Sequence, residues 1–140
     1  MEKQRKTILI VDDDEDFVDS ISSFLREHGF RVSTARNGTE GIKRARMLLP
    51  DLIIMDIMMD ERTEGIFAVQ ELRRTPQLES VPVFVLSALY GKVPDFKIGP
   101  SPEWLAHDRF LSKPVHLPDL LEAICGQLGS ENPAEPAAEQ

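Results

Sequence analysis

A chain of 140 residues suits one compact domain, and its 41% hydrophobic and 29% charged residues supply a core and exclude wholesale disorder. With 24 acidic and 16 basic residues the net charge is −8, which argues against a nucleic-acid binder and against polyanionic membrane surfaces, since both need clustered Lys and Arg. The single cysteine, Cys125, excludes a disulfide framework and a Cys-rich zinc site, and no apolar run reaches the roughly 18 residues of a membrane span, so a soluble cytoplasmic domain is expected.

Thr7-Ile8-Leu9-Ile10-Val11 is a short β-branched apolar run that stops at Asp12-Asp13-Asp14-Glu15-Asp16. Continuous apolar strands are buried on both faces, the habit of parallel sheets. Phe17, Val18, Ile21, Phe24 and Leu25 follow at helical spacing, and Gly29 supplies a stop. The acidic run falls at that helix's N-terminus, where the dipole favours anions. Phe30 to Ala35 reads as an outer strand and Asn37-Gly38 as a turn. Thr39 is the expected cap of a second helix, with Ile42, Ala45, Met47 and Leu48 facing inward and Pro50 ending it.

Leu52-Ile53-Ile54-Met55 is another buried strand, ending at Asp56. A polar loop from Asp60 to Glu64 leads into a helix with Ile66, Val69 and Leu72 inward, closed by Pro76. Val81 to Leu86 is a further strand, ending at Ser87. Between Tyr90 and Pro102, three prolines and two glycines exclude a long helix, and Ser101-Pro102-Glu103-Trp104 starts a brief one ending near His107. Arg109-Phe110-Leu111 is a short strand running into Ser112-Lys113-Pro114. A last helix, about Pro118 to Leu128, buries Leu120, Leu121, Ile124 and Cys125, and Gly129 ends it. His28, His107 and His116 share no motif and read as surface residues.

Strand and helix alternate five times, which predicts a doubly wound α/β sandwich with right-handed crossovers. In such sheets ligands bind beyond the carboxyl ends of the strands. Asp12, Asp13, Asp56, Ser87 and Lys113 all stand at those ends. Three clustered carboxylates repel one another unless a cation joins them, and a hard ion with oxygen ligands such as Mg²⁺ suits them. A carboxylate beside Mg²⁺ can act as nucleophile towards phosphorus, with Lys113 neutralising phosphoryl oxygens and Ser87 donating a hydrogen bond. The set suits phosphoryl transfer to an aspartate.

Ile8 to Asp14, Pro50 to Met59, Pro82 to Ala88 and Phe110 to Pro114 resemble the motifs of response-regulator receiver domains. The resemblance spans about Lys6 to Leu128, with four motifs in order at strand ends. It implies a flavodoxin-like three-layer sandwich whose five-stranded parallel sheet has the order 2-1-3-4-5, and the prolines and glycines between Tyr90 and Pro102 make its fourth helix irregular and shortened. It makes 1–129 a receiver domain, and the composition of 130–140 reads as a disordered acidic Pro/Ala tail. It makes Asp56 the phosphoacceptor and Lys113 the phosphate-contacting lysine. Asp12, Asp13, Asp56 and the backbone carbonyl of Met58 become the Mg²⁺ ligands, and Ser87 and Phe110 the switch positions.

The implied protein is a signalling receiver that catalyses only its own phosphorylation and dephosphorylation. A histidine kinase or histidine phosphotransfer protein is its donor, and a downstream protein is its target. No effector domain follows Leu128, so either output is by protein–protein contact or the chain is an excised piece of a larger one; the acidic balance argues against direct nucleic-acid or membrane contact. Homodimerisation on phosphorylation is a candidate response.

Several residues depart from the family pattern. Asp60 stands where the family has proline, Gly65 comes one residue late, and the stretch from Ser87 to Lys113 is long and proline-rich. Met58 and Leu89 are apolar at positions that influence dephosphorylation, so a long-lived phosphoryl group is expected. Three other functions fit these residues less well. An aspartyl phosphatase needs a second acid where Met58 stands. A nucleotide or flavin binder needs a Gly- or Ser/Thr-rich loop where Asp12 to Asp16 stand. A degenerate scaffold would not need the acidic set and Lys113, although the altered loops are compatible with one.

Overall fold

The computed structural model describes residues 5–56, 64–87, 109–112 and 115–128, with residues 64–67, 87, 110 and 112 described by backbone alone. The elements run β1 (Thr7–Val11), α1 (Glu15–Glu27), β2 (Arg31–Ala35), α2 (Gly38–Leu48), β3 (Leu52–Asp56), α3 (Glu64–Arg73), β4 (Val83–Ser87), β5 (Arg109–Ser112) and α4 (Leu117–Leu128). The strands form one five-stranded sheet in the order β2-β1-β3-β4-β5, and every pairing is parallel. This is the doubly wound flavodoxin-like order that the motifs implied.

The apolar strands bury both faces, and their alternation sorts the core into two halves. Leu9, Val11, Ile53, Met55, Val83 and Val85 face one side and pack with Ala45, Ala68, Val69 and Leu72 of α2 and α3. Ile8, Ile10, Leu52, Ile54, Phe84 and Leu86 face the other and pack with Ile21, Leu25, Leu120 and Ile124 of α1 and α4. Helices therefore cover both faces, giving three layers.

The caps are local. Asp14 accepts from the Phe17 amide at 3.2 Å and starts α1, which ends at Gly29 with φ 90. In α2 the cap is Asn37 rather than Thr39. Its extended backbone lets Oδ1 accept from the Glu40 amide at 2.8 Å, whereas Thr39 is already helical. The inward face of α2 also differs from expectation. Gly38, Gly41 and Ala45 are buried, whereas Met47 and Leu48 are exposed. A helix lying close on a sheet presents small residues to it, and a Cβ on Gly41 would stand 2.9 Å from Val11 Cγ2.

His28 is half-buried rather than a plain surface residue. Its ring lies 4.5 Å from that of Phe24, and Nδ1 donates to the Phe24 carbonyl at 2.9 Å. His116 is exposed and 3.2 Å from Asp119. Cys125 is half-buried on α4. The expected short helix from Ser101 to His107 with Trp104, the Asp60 loop, Gly129 and the tail lie outside the described residues.

Candidate functional site

The site grows from the pairing of the two central strands. β1 and β3 lie side by side with Val11 opposite Met55, so the residues that follow, Asp12 and Asp56, emerge together at the carboxyl edge. Asp12, Asp13 and Asp56 each bring one carboxylate oxygen to within 4.8 Å of the others. Asp12 and Asp56 are only 2% and 4% exposed, whereas Asp13 is open to solvent. The Asp12 amide donates to the Ala35 carbonyl at 3.1 Å, tying the cluster to the end of β2. Asp12 Oδ1 accepts from the Asp14 amide at 3.0 Å, which turns the chain into α1.

The acidic run that looked uniform in sequence is thus divided. Asp12 and Asp13 join the cluster, Asp14 caps the helix, and Glu15 and Asp16 occupy its first turn. Holding three carboxylates this close is costly in itself, and a hard dication with oxygen ligands is the group their chemistry fits.

A cleft of about 300 Å³ runs from Asp12 between α1 and α2, walled by Asp19 on one side and by Arg36, Glu40 and Arg44 on the other. Glu40 Oε1 accepts from the Arg36 amide at 2.9 Å, and Glu40 Oε2 lies 3.4 Å from Arg44. The backbone bond from Arg36 is the main cause holding the Glu40 carboxyl below its ordinary value, with Arg44 adding to it. Sequence reading missed this pair, although Glu40 three residues after Asn37 is the spacing of a capping box. It also missed Asp51, whose Oδ2 accepts from the Thr7 amide at 2.8 Å and pins the start of β1 to that of β3.

Asp56 lies opposite Leu86 in the β3–β4 ladder, so Ser87 comes one residue further along the same edge. Phe110 lies opposite Val85, and Ser112 opposite Ser87. Only the backbones of Ser87 and Phe110 are described. Met58, Leu89 and Lys113 lie outside the described residues.

The pattern of the response regulator receiver domain matches residues 8–125, and the chain belongs to that family, the receiver modules of two-component systems. Response regulator Rre1 of Synechocystis sp. is 36% identical over 126 residues, covering 87% of this chain and 51% of Rre1. The polar-differentiation response regulator DivK of Brucella anthropi is 29% identical over 124 residues, covering 89% of this chain and 97% of DivK. Among solved structures, a CheY-like receiver domain protein of Methanospirillum hungatei superposes with a TM-score of 0.72 at 26% identity, over 90% of this chain and 95% of that one. The chain spans about half the length of Rre1 and nearly all of DivK. No helix among the described residues is long and apolar enough to cross a membrane.

Proposed function

We propose that this receiver accepts a phosphoryl group on Asp56 from a histidine kinase or histidine phosphotransfer protein. The gathering of Asp12, Asp13 and Asp56 at one sheet edge, two of the three buried, is the observation that carries the reading. Asp12, Asp13, Asp56 and the Met58 backbone carbonyl would hold Mg²⁺, an all-oxygen set with neither nitrogen nor sulfur. Bound there, Mg²⁺ supplies positive charge against the carboxylates and the transferring phosphoryl oxygens.

The chain's own residues do the rest. An Asp56 oxygen attacks phosphorus, and a P–O bond forms as the donor's P–N bond breaks. The electron pair goes to the imidazole nitrogen, which takes up a proton. Lys113 pairs with phosphoryl oxygens and the Ser87 hydroxyl donates to one of them. The added charge biases a two-state element that includes Ser87 and Phe110, and a downstream protein reads the result. In this reading the chain works in the cytoplasm and catalyses only its own phosphorylation and dephosphorylation. Apolar Met58 and Leu89 hinder an attacking water and lengthen the life of the acyl phosphate.

Intact mass after incubation with Mg²⁺ and acetyl phosphate tests the assignment. One phosphoryl group should be added to the wild-type chain, and none to Asp56→Asn or when the metal is chelated. A phosphoryl mass increment on Asp56→Asn would move the acceptor elsewhere. Fast turnover to free phosphate would favour an aspartyl phosphatase. Loss of the group from wild-type protein within seconds would defeat the proposed long lifetime.

A further inference from the structure

The described residues expose three large apolar side chains, and the three are consecutive: Met47 at 80%, Leu48 at 41% and Leu49 at 52%. Scattered exposed leucines need no explanation, but a contiguous run does. The run closes α2. Helix C-termini and strand N-termini share one edge of a parallel sheet, so it stands at the pole opposite the carboxylate cluster. Leu49 adopts φ 50 and ψ 63, a conformation that glycine usually supplies at a helix end.

Charge at this pole is opposite to that of the chain. Lys43 lies one turn before Met47. Arg46 and Arg74 flank Glu71 at 3.4 and 3.6 Å, joining the end of α2 to that of α3. Lys6 precedes Thr7, whose amide binds Asp51, two residues past Leu49. Among the described residues at the ends of α2 and α3 and the starts of β1, β3 and β4, Lys6, Lys43, Arg46, Arg73 and Arg74 against Asp51, Glu71 and Glu79 leave two positive charges in excess, within a chain of net −8. The apolar area of three such side chains is on the order of 300 Å². That is well short of the roughly 800 Å² per partner in a stable dimer, and it suits a short segment better than a second copy.

We propose that this pole docks a short acidic segment of a partner protein. The segment lays apolar side chains on Met47–Leu49 and carboxylates on Lys43, Arg46 and Arg74. Methionine adapts its shape to an apolar partner, and the arginine fork matches a carboxylate. The surface shares no residue with the carboxylate cluster, so the proposal stands apart from the phosphorylation of Asp56.

Amide chemical shifts of the isotope-labelled full chain provide the test. One probe is a short helical peptide with leucines on one face and glutamates elsewhere. The others are its lysine-for-glutamate counterpart and phosphatidylcholine–phosphatidylglycerol vesicles. The acidic peptide should give saturable shifts centred on Lys43 to Leu49 and on Arg73 and Arg74. Its affinity should fall about tenfold in high salt, and about tenfold in Met47→Ser combined with Leu49→Asn. That double variant should keep the core spectrum and the phosphorylation of Asp56. No saturable response, shifts centred elsewhere, or equal response to the lysine peptide would overturn the proposal. A response to the vesicles alone would overturn it in favour of a lipid surface.

Discussion

Neighbouring residues of one charge take different work here according to the backbone beneath them. Glu40 is held ionised by the Arg36 amide and by Arg44. Its carboxyl therefore titrates below its ordinary value of 4.5, the value an unfolded chain approaches. A carboxyl with a lowered pKa in the folded state contributes stability that is full above the unfolded value and is lost as pH falls through the folded one. Urea midpoints of wild type and Glu40→Gln should thus differ most near neutrality and converge as pH drops from about 6 to about 3. A gap that stays constant across that range would show that the Arg36 contact depends on shape rather than on charge.

At the scale of the element, α2 carries the most instructive departure from the sequence reading. Large apolar residues set the apparent face, Met47 and Leu48 included, but the helix turns Gly38, Gly41 and Ala45 to the sheet instead. Small residues give no signal in a pattern weighted by bulk, yet they decide how near a helix can lie. Gly41→Ala tests the point. The added methyl would meet Val11 Cγ2 at 2.9 Å and Cγ1 at 3.1 Å, and Val11 is a short branched side chain between packed layers. Overpacking should outweigh the gain in helix propensity and cost about 1–2 kcal/mol by denaturant melts. Because Val11 directly precedes Asp12, the Mg²⁺ affinity proposed for the cluster should weaken as well. The strands were far more legible. β1, β3 and β4 are continuous apolar runs, each ended by a polar residue, and burial on both faces leaves such runs little alternative.

For the whole molecule, the sequence yields the topology and the edge where the three carboxylates gather, because strand ends and motif order converge on it. It hides the division of labour within Asp12 to Asp16, which depends on the Asx turn at Asp12 and the cap at Asp14. Net charge also misleads, since a total of −8 conceals a pole where the described residues carry excess positive charge. The contact between Thr7 and Asp51, 44 residues apart, marks the long closure that sets β1 beside β3. That closure must bring Asp12 and Asp13 up to Asp56 before the finished sheet compensates for their repulsion. Refolding should therefore quicken in higher salt, with Mg²⁺, or in Asp13→Asn, as stopped-flow traces would show. A change confined to the unfolding limb would place the docking of the two strands after the barrier. The crowding of three carboxylates at one edge thus also makes the speed at which the chain first assembles depend on the ions around it.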